Sequence, residues 1–156
     1  MASFWTRALL TGAFSLVLST PVSGAFAEDL SPQTRADLDE SMRGEALAHA
    51  TYRLYAEQAR QEGLPSVADL FDRTADTELG EHFKEEATLA GTVGTTEENL
   101  EKAIAGERYE SESMYPAFAE RAEESGDAEA ARVFSHNAED EAGHARAFEE
   151  ALEQLP

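Results

Sequence analysis

Residues 78–82 read Glu78-Leu79-Gly80-Glu81-His82, and residues 141–144 read Glu141-Ala142-Gly143-His144. Each stretch lies in a run whose apolar positions recur every three or four residues, the signature of one helical face. One run is Ala68, Phe71, Ala75, Glu78, His82, Glu85 and Leu89; the other is Ala131, Phe134, Ala138, Glu141, Ala145, Phe148 and Leu152. Two more runs have the same form. Leu38, Met42, Glu45, His49, Tyr52, Ala56 and Ala59 precede the first, and Leu100, Ala103, Glu107, Glu110, Met114 and Ala117 precede the second. A single glutamate on a helix is ordinarily solvated. These glutamates occupy seam positions where Leu, Phe or Ala belongs. A buried, unpaired carboxylate is costly, and several facing one another are worse unless protons or cations neutralise them.

The punctuation around these runs gives four helices. Ser31-Pro32 is a cap followed by proline at the first helical position, and Gly63 with Pro65 beyond it ends that helix. Ser66 with Asp69 reads as a capping box that restarts the chain. Gly91 and Gly94 break the second helix, Thr95 with Glu98 caps the third, and Gly126-Asp127 turns into the fourth. Pro116 falls inside the third pattern, where it should bend the helix or open its hydrogen-bond ladder. The halves repeat. Gly44-Glu45 matches Gly106-Glu107, Tyr55-Ala-Glu-Gln-Ala59 matches Phe118-Ala-Glu-Arg-Ala122, and Glu78 matches Glu141. The expected class is therefore all-α: a four-helix bundle made of two repeated hairpins, neither able to bury its apolar face alone.

The spacing of the seam acids suits a two-metal pocket. In a carboxylate-bridged bundle, two helices give one glutamate each and the other two give Glu-x-x-His. Here Glu45 and Glu107 are the single glutamates. Glu141 with His144 is one Glu-x-x-His, and Glu78 followed by Glu81 and His82 is its imperfect counterpart. Glu110, one turn after Glu107, adds an oxygen donor. Carboxylates with one or two imidazoles suit iron, with manganese possible in its place.

At these residues the chain resembles the rubrerythrin family. The resemblance rests on Gly44-Glu45, Thr74-Ala-Asp-Thr-Glu78, Ala105-Gly-Glu107-Arg-Tyr-Glu110, Met114-Tyr-Pro116 and Glu141-Ala-Gly-His144, and covers about residues 38–153. It implies a ferritin-like bundle holding two iron ions. It implies that Glu45, Glu78, Glu107, Glu110, Glu141 and His144 bind metal, and that Tyr52 and Tyr115 lie near it with a catalytic part. The implied activity is reduction of hydrogen peroxide to water. Two departures stand out. The family's second-helix histidine falls at the position of Glu81, whereas the helical seam favours His82. A local bulge would bring His82 in; otherwise Glu81 binds and His82 supports it. The family's C-terminal rubredoxin domain, which passes electrons to the metals, has no counterpart here, so the electrons are expected from an external donor protein.

Composition bounds the alternatives. The 156 residues suit one domain, and 32 acidic against 12 basic residues give a formal charge of −20. That excess argues against nucleic acid and anionic lipid as partners. The absence of cysteine excludes disulfides, zinc–thiolate sites and iron–sulfur centres. Residues 1–27 form a basic start, an apolar run from Ala8 to Ser19, and a small-residue site at Ala25-Phe26-Ala27. This is a secretory signal pattern with cleavage after Ala27, leaving residues 28–156 as the exported domain, most simply periplasmic and free of membrane.

The link between the second and third helices bears on assembly. In a ferritin-like bundle these helices run parallel. At ~1.5 Å per residue the link must cover roughly 30 Å. Residues 90–95 reach only about 20 Å when extended. The expectation is a domain-swapped homodimer, with an up-down-up-down monomer as the competing arrangement. The functional readings are a di-iron peroxidase, an iron-handling ferroxidase using oxygen or peroxide, and a non-catalytic metal-binding module.

Overall fold

The structure is a computed structural model and describes residues 30–156. The signal-sequence reading of residues 1–27 lies outside the described residues. The described chain is helical throughout: α1 (Pro32–Gln61), α2 (Pro65–Thr77), π1 (Glu78–Phe83), α3 (Lys84–Leu89), α4 (Thr96–Tyr109), π2 (Glu110–Met114), α5 (Tyr115–Glu124) and α6 (Ala128–Glu153). The segments α2, π1 and α3 form one continuous helix with a π turn inside it, and α4, π2 and α5 form another. Four long helices therefore make two hairpins, the all-α, ferritin-like architecture expected.

Local chemistry accounts for the boundaries. Ser31 Oγ accepts from the Thr34 amide at 3.1 Å, and Pro32 fills the first turn of α1. Thr95 and Glu98 make the reciprocal capping box: the Glu98 amide donates to Thr95 Oγ1 at 3.2 Å and the Thr95 amide to Glu98 Oε2 at 2.7 Å. The proposed Ser66–Asp69 cap is a correction. Helix α2 starts at Pro65 with Leu64 as its cap and no side-chain cap bond. Proline fixes φ and has no amide proton, so it takes the first helical position and leaves Ser66 already inside the turn. Three helices end the same way. Gly63, Gly91 and Gly126 adopt φ of 75°, 64° and 83°. The next amide then donates back to an alanine carbonyl: Leu64 to Ala59, Thr92 to Ala87, Asp127 to Ala122. This is the left-handed helix stop that glycine permits.

Within each hairpin the helices meet over alanine. Ala56, Ala59, Ala68 and Ala75 are buried in the first, and Ala119, Ala122, Ala131 and Ala145 in the second. Small residues at the crossing let the backbones approach closely. Each hairpin also carries an aromatic triad. Tyr52, Tyr55 and Phe71 have centroids 5.4–6.2 Å apart, and Tyr115, Phe118 and Phe134 have centroids 5.5–6.3 Å apart. Arg53 and Arg60 both pair with Asp72, and Arg53 also with Asp76, tying α1 to α2. The first hairpin packs on itself through α1 against α2, π1 and α3; the second through α6 against α4, π2 and α5. Among the described residues no helix of one hairpin packs on a helix of the other.

Candidate metal centre

The two π turns decide where the seam acids stand. At Pro116 the missing amide proton leaves the carbonyl one turn earlier without its usual donor. The third helix accommodates this upstream as π2, in which the Tyr115 amide donates to the Glu110 carbonyl five residues back. The expected opening of the ladder at Pro116 is thus a π turn over Glu110–Met114. It inserts one residue relative to the first helix: Glu45 and Glu107 differ by 62 in number, but Tyr52 and Tyr115 by 63. In the second helix π1 does the reverse. Glu78 and Glu141 differ by 63, but His82 and His144 by 62. The extra residue in π1 turns His82, four places after Glu78, to the face that His144 reaches three places after Glu141.

Two similar clusters result. Glu45, Glu78 and His82 bring one donor atom each within 4.8 Å of one another, and so do Glu107, Glu141 and His144. His82 Nδ1 lies 2.8 Å from Glu78 Oε2 and 3.7 Å from Glu45 Oε1. His144 Nδ1 lies 2.6 Å from Glu141 Oε2 and 3.6 Å from Glu107 Oε2. The carboxylates are mostly covered, while 52% and 59% of the two imidazole side chains remain exposed. Burial, then the facing Glu78 carboxylate, pushes the Glu45 carboxyl above the ordinary range. Burial, then Glu141, does the same to Glu107, with Glu110 adding to the rise. For His82 burial opposes protonation, but Glu78 and Glu45 outweigh it and the imidazole is raised; Glu141 raises His144.

The other predicted residues are placed as follows. Glu110 is half-buried at the start of π2 and acts electrostatically on Glu107, without joining the tight cluster. Glu81 is exposed and lines an open groove with Gly80, Lys84, Glu85, Thr88 and Leu89, apart from the cluster. Tyr52 and Tyr115 belong to the aromatic triads. His49 donates from Nδ1 to the Ala75 carbonyl at 2.8 Å, a bond that fastens α1 to α2. Glu85 and Leu89, expected on the seam, are exposed. The residue gained in π1 advances the face by one, so Glu86 takes the seam instead. It accepts from Ser41 Oγ at 2.6 Å and raises the Glu45 carboxyl. Continuing the seam from His82 in a step of four finds Glu86; a step of three leads to Glu85. In the second hairpin, Arg108 Nε donates to Glu149 Oε1 at 2.8 Å and neutralises it.

The residues present fit divalent metal. Oxygen atoms of Glu86 and Glu107 are buried without a hydrogen-bond partner. Each tight cluster sets two carboxylates against one another with one imidazole, a donor set for hard-to-intermediate ions such as iron or manganese. Protons answer the repulsion in part; a divalent cation answers it by displacing those protons and binding the ionised carboxylates.

Comparison with known proteins gives the chain a family. The family model described as Rubrerythrin matches residues 37–82 and 77–152. A rubrerythrin of Porphyromonas gingivalis is 40% identical in an alignment covering 74% of this chain and 64% of that protein. In Nitratidesulfovibrio vulgaris, a rubrerythrin is 34% identical over 74% of this chain and 67% of its own length, and a nigerythrin is 31% identical over 74% and 63%. The chain spans just under two thirds of the length of the first of these relatives. The family implies a di-iron centre, and this chain presents two carboxylate–imidazole clusters that fit one. The chain belongs to the rubrerythrin family.

Proposed function

We propose that this protein is a non-haem di-iron oxidoreductase that reduces hydrogen peroxide to water with electrons from a separate donor protein. The observation that carries the reading is the pair of matched Glu–Glu–His clusters, each with mutually repelling carboxylates on a helical seam. Glu45, Glu78 and His82 would hold metal on one side, Glu107, Glu141 and His144 on the other, with Glu110 as a further oxygen donor. Bound iron supplies the redox chemistry: peroxide takes up two electrons and two protons, and its oxygens leave as two waters.

The chain's own residues do the rest. The π turn at Glu78–Phe83 presents the His82 imidazole rather than the Glu81 carboxylate, and Glu78 orients it through Nδ1. Glu141 orients His144 in the same way. Such carboxylate–imidazole pairing fixes the ring and its tautomer. The triads of Tyr52 and Tyr115 would supply aromatic surface beside the seams, and a phenol O–H there would serve as a hydrogen-bond donor. On the sequence of residues 1–27 alone, we further propose that the protein acts outside the cytoplasm.

Anaerobic loading with ferrous iron, followed by rapid mixing with peroxide or with oxygen, tests the reading. The expected result is two irons per site and faster oxidation by peroxide, without net accumulation of ferric mineral. Faster oxidation by oxygen with stored ferric iron would make the protein a ferroxidase. Failure to bind iron at all would leave a non-catalytic helical module.

A further inference from the structure

One level of the seam is polar in the first hairpin and apolar in the second. Ser41 stands one turn before Glu45, and Glu86 one turn after His82. The offset of 62 that relates Glu45 to Glu107 and His82 to His144 relates these two residues to Ala103 and Phe148. All four are half-buried. The first hairpin therefore carries a hydroxyl and a carboxylate where its repeat carries a methyl group and an aromatic ring.

A carboxylate in such a place needs a physical reason. Glu86 Oε1 accepts from Ser41 Oγ at 2.6 Å, but Oε2 is buried and has no hydrogen-bond partner. One hydroxyl thus meets one oxygen and leaves the other bare. An ionised group held this way is unfavourable, and an apolar residue of similar size would ordinarily be neutral or better. Glu86 is also close enough to Glu45 for its charge to act on that carboxyl, behind burial and the effect of Glu78. Fastening the helices does not account for it. Arg53 with Asp72, and His49 with the Ala75 carbonyl, already join α1 to the second helix, and a neutral amide would accept from Ser41 as well as a carboxylate does. Glu107 Oε2 is buried and bare in the same manner, and it belongs to the second cluster. That shared condition groups Glu86 with the acids of the metal centre. It sets Glu86 apart from Glu149, whose charge Arg108 meets.

We propose that Glu86 is a further carboxylate of the metal centre, giving its bare oxygen to the divalent ion held by Glu45, Glu78 and His82, while Ser41 fixes the other oxygen. The inference rests on the metal-site reading above and adds that the two halves are built differently. Glu110 extends the second cluster along its helix toward the aromatic triad of Tyr115; Glu86 extends the first in the direction away from the triad of Tyr52. Each added carboxylate raises affinity for a hard cation through the charge of the donor set.

Three variants of the full chain test it. Glu86→Gln keeps the shape and an acceptor for Ser41 but removes the charge. Ser41→Ala keeps the charge and removes the bond. Glu86→Leu makes the level apolar, as Phe148 does in the repeat. Metal-free protein is titrated with cobalt(II), followed by calorimetry and by the visible absorption of the bound ion. Glu86→Gln and Glu86→Leu should weaken cobalt binding about tenfold and alter the absorption band, and Ser41→Ala should lose less. Urea unfolding without metal separates this role from a structural one: Glu86→Leu should be at least as stable as wild type, because the bare oxygen is gone. Wild-type affinity with an unchanged spectrum in Glu86→Gln overturns the proposal. A Glu86→Leu protein that is less stable without metal yet binds cobalt normally makes Glu86 a fastener of two helices and overturns it too. Wild-type protein that takes up no cobalt refutes the metal-site reading itself, whereas normal uptake that ignores Glu86→Gln removes only Glu86 from the site.

Discussion

At the scale of single residues, the acids divide into those that a cation inside the chain already satisfies and those that none does. Asp72 belongs to the first kind. The hydrogen bond from Arg53, together with the charge of Arg60, holds its carboxyl below the ordinary value of 3.8. A depressed carboxyl stabilises the fold above its unfolded pKa, and that contribution fades as pH falls through the folded value. Asp72→Asn should therefore lower the urea midpoint at pH 7, with the gap to wild type closing below pH 3.8. Glu45 and Glu107 are of the second kind, raised from 4.5 by burial and by their facing carboxylates. For a raised carboxyl the sign reverses: its contribution is most favourable at low pH and is lost as pH climbs through the folded value. Metal-free protein is expected to lose stability on passing upward from mildly acid pH. Metal binding should tighten over the same range and release protons, both measurable by calorimetry in buffers of different ionisation heat. Glu81 and His82 can be separated directly. Glu81→Ala should leave metal content unchanged, whereas His82→Ala should weaken binding by about tenfold or more, as loss of an oriented imidazole ligand does.

At the scale of elements, the two π turns are the means by which a duplicated hairpin keeps equivalent donors level after its halves diverged by one residue. The offset between halves is 62 at Glu45 and Glu107, 63 through both aromatic triads, and 62 again at His82 and His144. Each change of offset coincides with a π turn. A helix accommodates the extra residue locally, so the alanine contacts on either side keep their register. Those contacts are tight: Ala56 and Ala75 are completely buried. Ala56→Leu has no space to enter and should cost about 1–3 kcal/mol in chemical denaturation, through separation of α1 from α2. The repeat itself, the four helices and most of their ends were legible in the sequence from Gly63, Thr95 with Glu98, and Gly126. The start of α2 was not, because Ser66 with Asp69 imitates a cap that Pro65 pre-empts. Nor was the exchange of Glu85 for Glu86 on the seam, since an even helical step carries no sign of a π turn.

At the scale of the whole molecule, the chain folds as two open hairpins joined by a short, bonded link. The described helices include none long and apolar enough to cross a membrane. If residues 1–27 direct export, protein recovered from its native compartment should begin at Glu28 on N-terminal sequencing. A mature N-terminus at Met1 or Ala2 would exclude it.

The sequence by itself determined which acids stand on the helical seams. Periodicity places Glu45, Glu78, Glu107 and Glu141 on seams, and seams are where a carboxylate demands a cation. Tertiary structure set His82, and not Glu81, beside Glu45 and Glu78, moved the seam to Glu86, and left one chain's two clusters apart. The reason is physical. Side-chain period is a local property written in the order of residues, whereas a one-residue π turn acts only through where the helix face then lies in space.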